Sequence, residues 1–214
     1  MVNRFEVSEL DGLNLINDDM ENILSVGIST NGNAEIEMTN RFNGVVTATT
    51  IDEKGLSNTR YIVEQKDLLD RINLKLEDVR DKNIYPDNYF DYIYARLILH
   101  YLTNQELFEV LKEFKRILRE NGKLYIVVRS NECSEPHDGF IEYNEETGMT
   151  RHVSFDGRIA TRRFHSVDSI SEVLKKCGFN IQNVKTYDEV LYADYERTVE
   201  VTARNNLIEV ICNK

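Results

Sequence analysis

The stretch from Phe90 to Arg129 constrains the fold of this chain more than any other. Phe90-Asp91-Tyr92-Ile93-Tyr94-Ala95 reads as a strand, Thr103 to Glu120 as a helix, and Lys123 to Arg129 (KLYIVVR) as a β-rich run that follows at once. The helix carries its own punctuation. Thr103 and Glu106 make a capping box, Leu107, Val110, Leu111, Phe114, Ile117 and Leu118 recur at helical spacing, and Asn121-Gly122 is the expected stop. Strand, helix and strand in close succession call for a parallel sheet, since a chain needs a crossover to return in the same direction.

The alternation extends upstream. Ile23 to Gly27 is a short apolar run closed by glycine, Ala34 to Met38 is helical, Gly44 to Ile51 is a Val- and Thr-rich strand, Ser57 to Ile72 an amphipathic helix and Asn73 to Leu76 a further strand. A loop from Glu77 to Asn88 leads into Phe90. Downstream, Ser166 caps a helix that ends at Cys177-Gly178, and Ile181 to Tyr187 and Leu207 to Cys212 are late strands. The stretch between them, with Tyr187, Leu191, Tyr192 and Tyr195, suits the cover of a pocket or of a partner. No repeat or low-complexity tract divides the chain, and neither proline, Pro86 or Pro136, sits in a linker-like run, so residues 1–214 are expected to form one domain. Helices should cover both faces of the sheet, and ligands should bind at the carboxyl ends of its strands.

Charge and cysteine usage narrow the partners. With 26 basic and 37 acidic side chains among 214 residues, a net charge of −11 opposes binding of nucleic acid by bulk electrostatics. Cys133, Cys177 and Cys212 are widely spaced with no CxxC pair, which suits a reducing cytoplasm better than a disulfide framework or a metal site. The first residues lack the apolar run of a signal peptide, and no window approaches the roughly 18 apolar residues of a membrane span. The expectation is a soluble cytoplasmic protein without metal or membrane; the oligomeric state stays open.

The order of the loops then becomes informative. Gly27 is followed by the polar cluster Ser29-Thr30-Asn31 and a helix N-terminus, Thr49-Thr50-Ile51-Asp52 ends the second strand, Leu76-Glu77-Asp78-Val79 ends the third, and Ala95-Arg96-Leu97 ends the fourth. In this order and spacing the chain resembles the class I, Rossmann-like S-adenosylmethionine-dependent methyltransferases. The resemblance runs from Ile23 to Val128 and is most specific from Pro86 to Leu102 joined to Leu118-Arg119-Glu120-Asn121-Gly122-Lys123-Leu124. It implies an α/β fold with a mostly parallel sheet, helices on both faces and a C-terminal antiparallel strand pair. It also implies S-adenosylmethionine as cofactor, with Gly27, Ser29, Thr30 and Asn31 at its methionine end, Thr50 or Asp52 at the ribose, Asp78 and Val79 at the adenine, and Arg96 beside the methyl group. The first motif departs from the family pattern, with Ser25 in place of its acidic residue and Ser29 and Asn31 in place of glycines; Thr50 occupies the place of the ribose-binding acid.

Residues 130–165 form an insertion after the fifth strand. Its first half holds Glu132, Glu135, Asp138, Glu142, Glu145 and Glu146, whereas Arg151 to His165 holds Arg151, Arg158, Arg162 and Arg163 against a single Asp156. Asp156-Gly157 between β-rich arms signals a hairpin. Either the two halves pair with each other, or the arginines alternate onto a solvated face, or they, with Arg162, Arg163 and His165 foremost, bind an anionic small molecule on the substrate side. His137, His152 and His165 are candidate bases among which the sequence does not choose, and His100 reads as a packed histidine.

The function expected is therefore methyl transfer from S-adenosylmethionine to a small-molecule acceptor, anionic if the Arg-rich hairpin binds it, with no catalytic residue assigned. The alternative is a non-catalytic methyltransferase-like binding or regulatory protein with weakened cofactor binding. A nicotinamide dehydrogenase fits less well, since GxGxxG is absent.

Overall fold

The computed structural model describes residues 5–28, 30–82, 84–192 and 198–214. Among them, ten strands form two sheets. The central sheet takes strands β1 (Asn22–Val26), β2 (Val45–Thr50), β3 (Ile72–Leu76), β4 (Phe90–Arg96), β5 (Leu118–Arg129), β9 (Asn180–Asp188) and β10 (Asn206–Asn213), in the spatial order β3-β2-β1-β4-β5-β10-β9. β1 runs parallel to β2 and β4, and β5 parallel to β4, while β10 is antiparallel to both β5 and β9. The strand order reverses between β1 and β4, which makes their carboxyl ends the switch point where open α/β sheets bind ligands.

Side chains of the central strands alternate between two cores, as the period of two in a strand requires. Leu24, Ile93, Ala95, Ile126, Val128, Ile208 and Val210 face one core, against α4 (Asn104–Ile117) and α6 (Val167–Lys176). Ile23, Tyr92, Tyr94, Tyr125 and Val127 face the other, with Leu13 of α1 (Val7–Leu13), Ala34 and Met38 of α2 (Asn33–Thr39) and Val63 of α3 (Glu53–Gln65). Each fully buried Leu, Ile or Phe contributes roughly 1.5–3 kcal/mol, so the two-sided burial supplies most of the drive for the fold. No helix among the described residues is long and apolar enough to cross a membrane.

Three boundaries differ from the sequence expectation. α4 stops at Ile117, not at Asn121-Gly122, because buried Leu118 turns extended (φ −75°, ψ 137°) to pair with Phe90, and β5 therefore begins in the stretch read as helix. α3 starts at Glu53, where Asp52 accepts a hydrogen bond from the Lys54 amide, and Ile72 belongs to β3. α1 was not expected; its apolar stripe is too short to register in the sequence, and Glu6 and Glu9 cap it through a box of their own.

The insertion forms a separate three-stranded antiparallel sheet of β6 (Phe140–Asn144), β7 (Met149–Val153) and β8 (Ile159–Arg162), preceded by the single turn α5 (Glu135–Asp138). The hairpin at Asp156-Gly157 is present, with Gly157 at φ +77°. β6 adds a strand from the acidic half, and Glu142 pairs with Arg151 across β6 and β7 at 3.4 Å.

Candidate functional site

A cavity of about 420 Å³ opens over the carboxyl ends of β1, β4 and β5. Gly27 forms part of its floor at φ +78°, the left-handed region, where glycine carries no steric penalty. The Ile98 side chain packs directly on that glycine: a Cβ added to Gly27 would lie 2.2 Å from Ile98 Cδ1. Besides Asp156 and Arg158, which pair with each other, the charged groups around the cavity fall into two clusters of opposite balance.

The acidic cluster centres on Arg96 at the end of β4. Its guanidinium reaches Glu6, Glu189 at 3.0 Å and Glu9 at 3.9 Å, while its Nε donates to Ser8 Oγ at 2.6 Å. Glu189 in turn accepts from the Ser8 amide and hydroxyl. Burial works against the Arg96 charge, but Tyr94, Glu6, Glu9 and Glu189 outweigh it and hold the guanidinium above its ordinary range. Three carboxylates thus surround one cation where Glu6, Glu9 and Arg96 line the cavity.

The basic cluster lies across the cavity. Arg129, at the end of β5, and Arg162, from β8, share one oxygen of Glu135, with Arg162 at 3.2 Å. The other Glu135 oxygen accepts from Ser154 Oγ at 2.8 Å and the Phe155 amide at 3.3 Å. Burial raises the Glu135 pKa, but Arg129, Ser154 and Arg162 together prevail and keep it below the usual range. Arg129 is shifted downward by burial, with Glu135 opposing and Arg162 adding to the shift. Two guanidiniums thus share one carboxylate, and Arg162 Nε is buried without a hydrogen-bond partner. His100, just beyond β4, lines the same cavity at 2% exposure, and its Nδ1 also has no partner. Burial, then Arg129, Arg162 and His165, push its pKa well below 6.5, so the imidazole is neutral at physiological pH.

A second, smaller cavity of about 40 Å³ lies at the end of β2 and is lined by Asn31, Thr50, Asp52 and Asn58; Ile28 lines both cavities. Asn31 itself is left-handed (φ 56°). Asp52 spends one oxygen on the α3 cap, and Thr50 Oγ1 accepts from the Asp52 amide. Asp78 is held by Arg80 through both its oxygens, at 2.6 and 2.9 Å, which lowers its pKa, and Val79 packs on the core below α4. Ser25, at the place of the family's acidic residue, donates to buried Glu35 at 2.7 Å. Ser29, the side chain of Thr30, and Tyr195 lie outside the described residues.

The structure therefore brings Gly27, Arg96 and Arg162 to the large cavity, and Asn31, Thr50 and Asp52 to the small one. Arg163 and His165 line neither. Arg163 donates to the Thr147 carbonyl at 2.8 Å, and His165 is buried at the point where the insertion rejoins the sheet, bridged to Ser130. His137 and His152 also lie outside the large cavity, the first facing the Asn131 carbonyl and the second packed edge-on to Phe164. Sequence reasoning missed Arg129, Glu135 as its partner, and Glu6, Glu9 and Glu189. A cation closing the apolar run LYIVV, as Arg129 does, is the signal that would have revealed the first.

The neutral histidines set an acid limit on stability. Burial pulls the pKa of His165 down to about 3 and that of His100 also below 6.5. Between those values and 6.5 the unfolded chain binds more protons than the folded one, so stability falls as pH drops below 6.5. Denaturant unfolding from pH 6.5 to 5 should show a loss of roughly 1 kcal/mol per pH unit from each of the two. A His165→Asn variant should remove its roughly 1 kcal/mol per pH unit from a slope to which His100 and His152 also contribute, and an unchanged slope would refute the assignment.

Comparison with known proteins places the cavity in context. Residues 24–126, spanning β1 to most of β5, match a family model described as a methyltransferase domain. No curated protein matches the chain. Similar solved structures include a SAM-dependent methyltransferase from Methanosarcina mazei (18% identity, 94% of this chain and 95% of that one, TM-score 0.74). Another is a putative S-adenosylmethionine-dependent methyltransferase from Listeria monocytogenes (16%, 97% and 98%, 0.71). A third is 1,6-didemethyltoxoflavin-N1-methyltransferase from Burkholderia thailandensis, with bound 1,6-didemethyltoxoflavin and S-adenosylhomocysteine (12%, 98% and 79%, 0.64). At these identities the likeness establishes the fold.

Proposed function

We propose, from the match of residues 24–126 to a methyltransferase-domain model and from the Rossmann-like sheet, that the protein transfers the methyl group of S-adenosylmethionine to a small-molecule acceptor bearing an anionic group. The observation that carries this reading is the position of the large cavity: it opens over the ends of β1 and β4, within the matched segment, at the switch point of the sheet.

The residues present fit that cofactor. The bare backbone at Gly27 allows close approach, and Glu6 and Glu9 give this end of the cavity the negative balance that suits an ammonium and a sulfonium. Asn31, Thr50, Asp52 and Asn58 offer amide, hydroxyl and carboxylate groups for ribose at the small cavity, while Asp78 lines neither cavity and is held by Arg80. When bound, the cofactor would supply an electrophilic methyl group, attacked by a nucleophile in line with the departing thioether sulfur. The protein contributes alignment and a screened site, worth several kcal/mol of barrier when the reacting atoms are held in contact. Arg162 and Arg129, on the insertion side, supply the charge that draws an anionic acceptor to the same cavity.

Titration calorimetry with S-adenosylmethionine and S-adenosylhomocysteine tests the reading. Both should bind, the second at least as tightly, and absence of binding at millimolar concentration would overturn it. The non-catalytic alternative draws on one observation, that Arg80 already occupies both oxygens of Asp78; binding of cofactor without turnover on any acceptor would favour it.

A further inference from the structure

We propose that Arg129 and Arg162, seated on Glu135, form a subsite for the carboxylate of the acceptor, and that His100 beside them takes the proton from that acceptor's hydroxyl as it is methylated. The acceptor is accordingly a hydroxylated aromatic carboxylic acid. The proposal rests on the methyl-transfer reading and adds to it the substrate class and the base.

Four observations carry it. First, two guanidiniums share one carboxylate whose two oxygens are already fully engaged, so the cluster keeps a net positive charge inside a cavity. Leaving a buried charge under-compensated is costly, and a second carboxylate arriving from solution relieves it. Second, Arg162 Nε is buried with no partner, a donor that the resident groups do not satisfy. Third, His100 Nδ1 is likewise unpartnered in a residue 2% exposed; burial, then Arg129 and Arg162, hold the ring neutral, and an acceptor carboxylate that offsets those cations restores its capacity to take a proton. Fourth, the walls between the clusters are apolar and aromatic: Tyr101, over whose ring Arg162 lies at 5.9 Å, Phe155, Leu191 and Tyr192. A flat ring that sets its carboxylate on the two guanidiniums and a hydroxyl of the same edge against His100 matches those surfaces.

The step balances. The acceptor oxygen forms a bond to the methyl carbon, and the sulfur–methyl bond breaks with its electron pair left on sulfur. The hydroxyl proton passes to His100 and then to water. The sulfonium charge is thereby discharged, and no oxidant or reductant is needed.

Calorimetry on the full chain with S-adenosylhomocysteine present tests the proposal. The probes are the three hydroxybenzoate isomers, the benzamide counterpart of the best-bound isomer, and benzoate. The best hydroxybenzoate should bind at least about tenfold more tightly than its amide, the mark of a charge-assisted pairing, and about fivefold more tightly than benzoate. Arg162→Met should abolish the first preference and His100→Ala the second, each leaving the other in place. Arg162→Lys, which keeps the charge but not the fork, serves if the methionine variant does not fold; it should lose part of the preference. Equal binding of acid and amide by the wild type, or no binding of any isomer at millimolar concentration, would overturn the subsite. A hydroxyl preference that survives His100→Ala would overturn the base. Binding of S-adenosylhomocysteine alone, measured first, separates the outcomes: if it binds and the acids do not, this inference fails and methyl transfer stands, and in the reverse case the subsite stands and methyl transfer fails.

Discussion

Replacing Arg96 with methionine is expected to lower folding stability by roughly 3–5 kcal/mol, the cost of removing one partner from a buried ionic cluster. The side chain is only 13% exposed and is the shared cation of Glu6, Glu9 and Glu189, which come from the segment before β1 and from the end of β9. Without it, three carboxylates crowd a water-poor space, and they must either repel one another or take up protons. Urea unfolding at pH 7 reads the loss. Adding Glu189→Gln to the variant should recover part of it, because the remaining repulsion falls; a stability change below about 1 kcal/mol would refute the role of the cluster. The comparison is Arg41→Ala, which breaks a half-buried helical i,i+4 pair with Glu37 at 3.0 Å and should cost less, about 1 kcal/mol. The same cluster fastens α1 across the cavity, so the Arg96 variant should also weaken cofactor binding.

Gly27→Ala is expected to be the second most damaging change. A side chain at φ +78° costs about 1–2 kcal/mol in backbone strain, and the new Cβ meets Ile98 at 2.2 Å, an overpacking worth a further 1–3 kcal/mol. Calorimetry should show at least a tenfold loss of S-adenosylhomocysteine affinity, since the methyl group blocks the approach to the turn after β1. Combining it with Ile98→Ala separates the two costs: the packing part should return and the strain should remain. Full recovery of stability in the double variant would show that the left-handed backbone carries no penalty there.

How much of this was legible in the sequence depends on range. β4, the start of α4 with its Thr103-Glu106 box, and the hairpin at Asp156-Gly157 are written in local spacing, and each forms where the pattern places it. The end of α4 was not, because Leu118 leaves the helix for a strand partner, Phe90, far away in sequence. β6 was missed for a similar reason: its residues are all exposed, so they show no alternation, and pairing with β7 alone makes it a strand. The site divides the same way. Gly27 and Arg96 stand at strand ends that a reader can find, whereas Glu6, Glu9 and Glu189 meet Arg96 only through tertiary packing, and Arg129 meets Arg162 only once the insertion has folded back.

The return of that insertion has a consequence for how such a chain can diversify. Residues 130 and 165 are bridged, the Asn131 amide donates to the His165 carbonyl at 2.8 Å, and the His165 amide donates to the Arg129 carbonyl at 2.9 Å. The excursion leaves and re-enters the domain at one zipped point, as a closed loop whose stem is held independently of its length. Loop closure grows only logarithmically with length, so exchanging the three-stranded cap for a shorter or longer one changes the entropy of the unfolded chain by little. Specificity can thus be regrafted at one position while the stem and the central sheet keep their register.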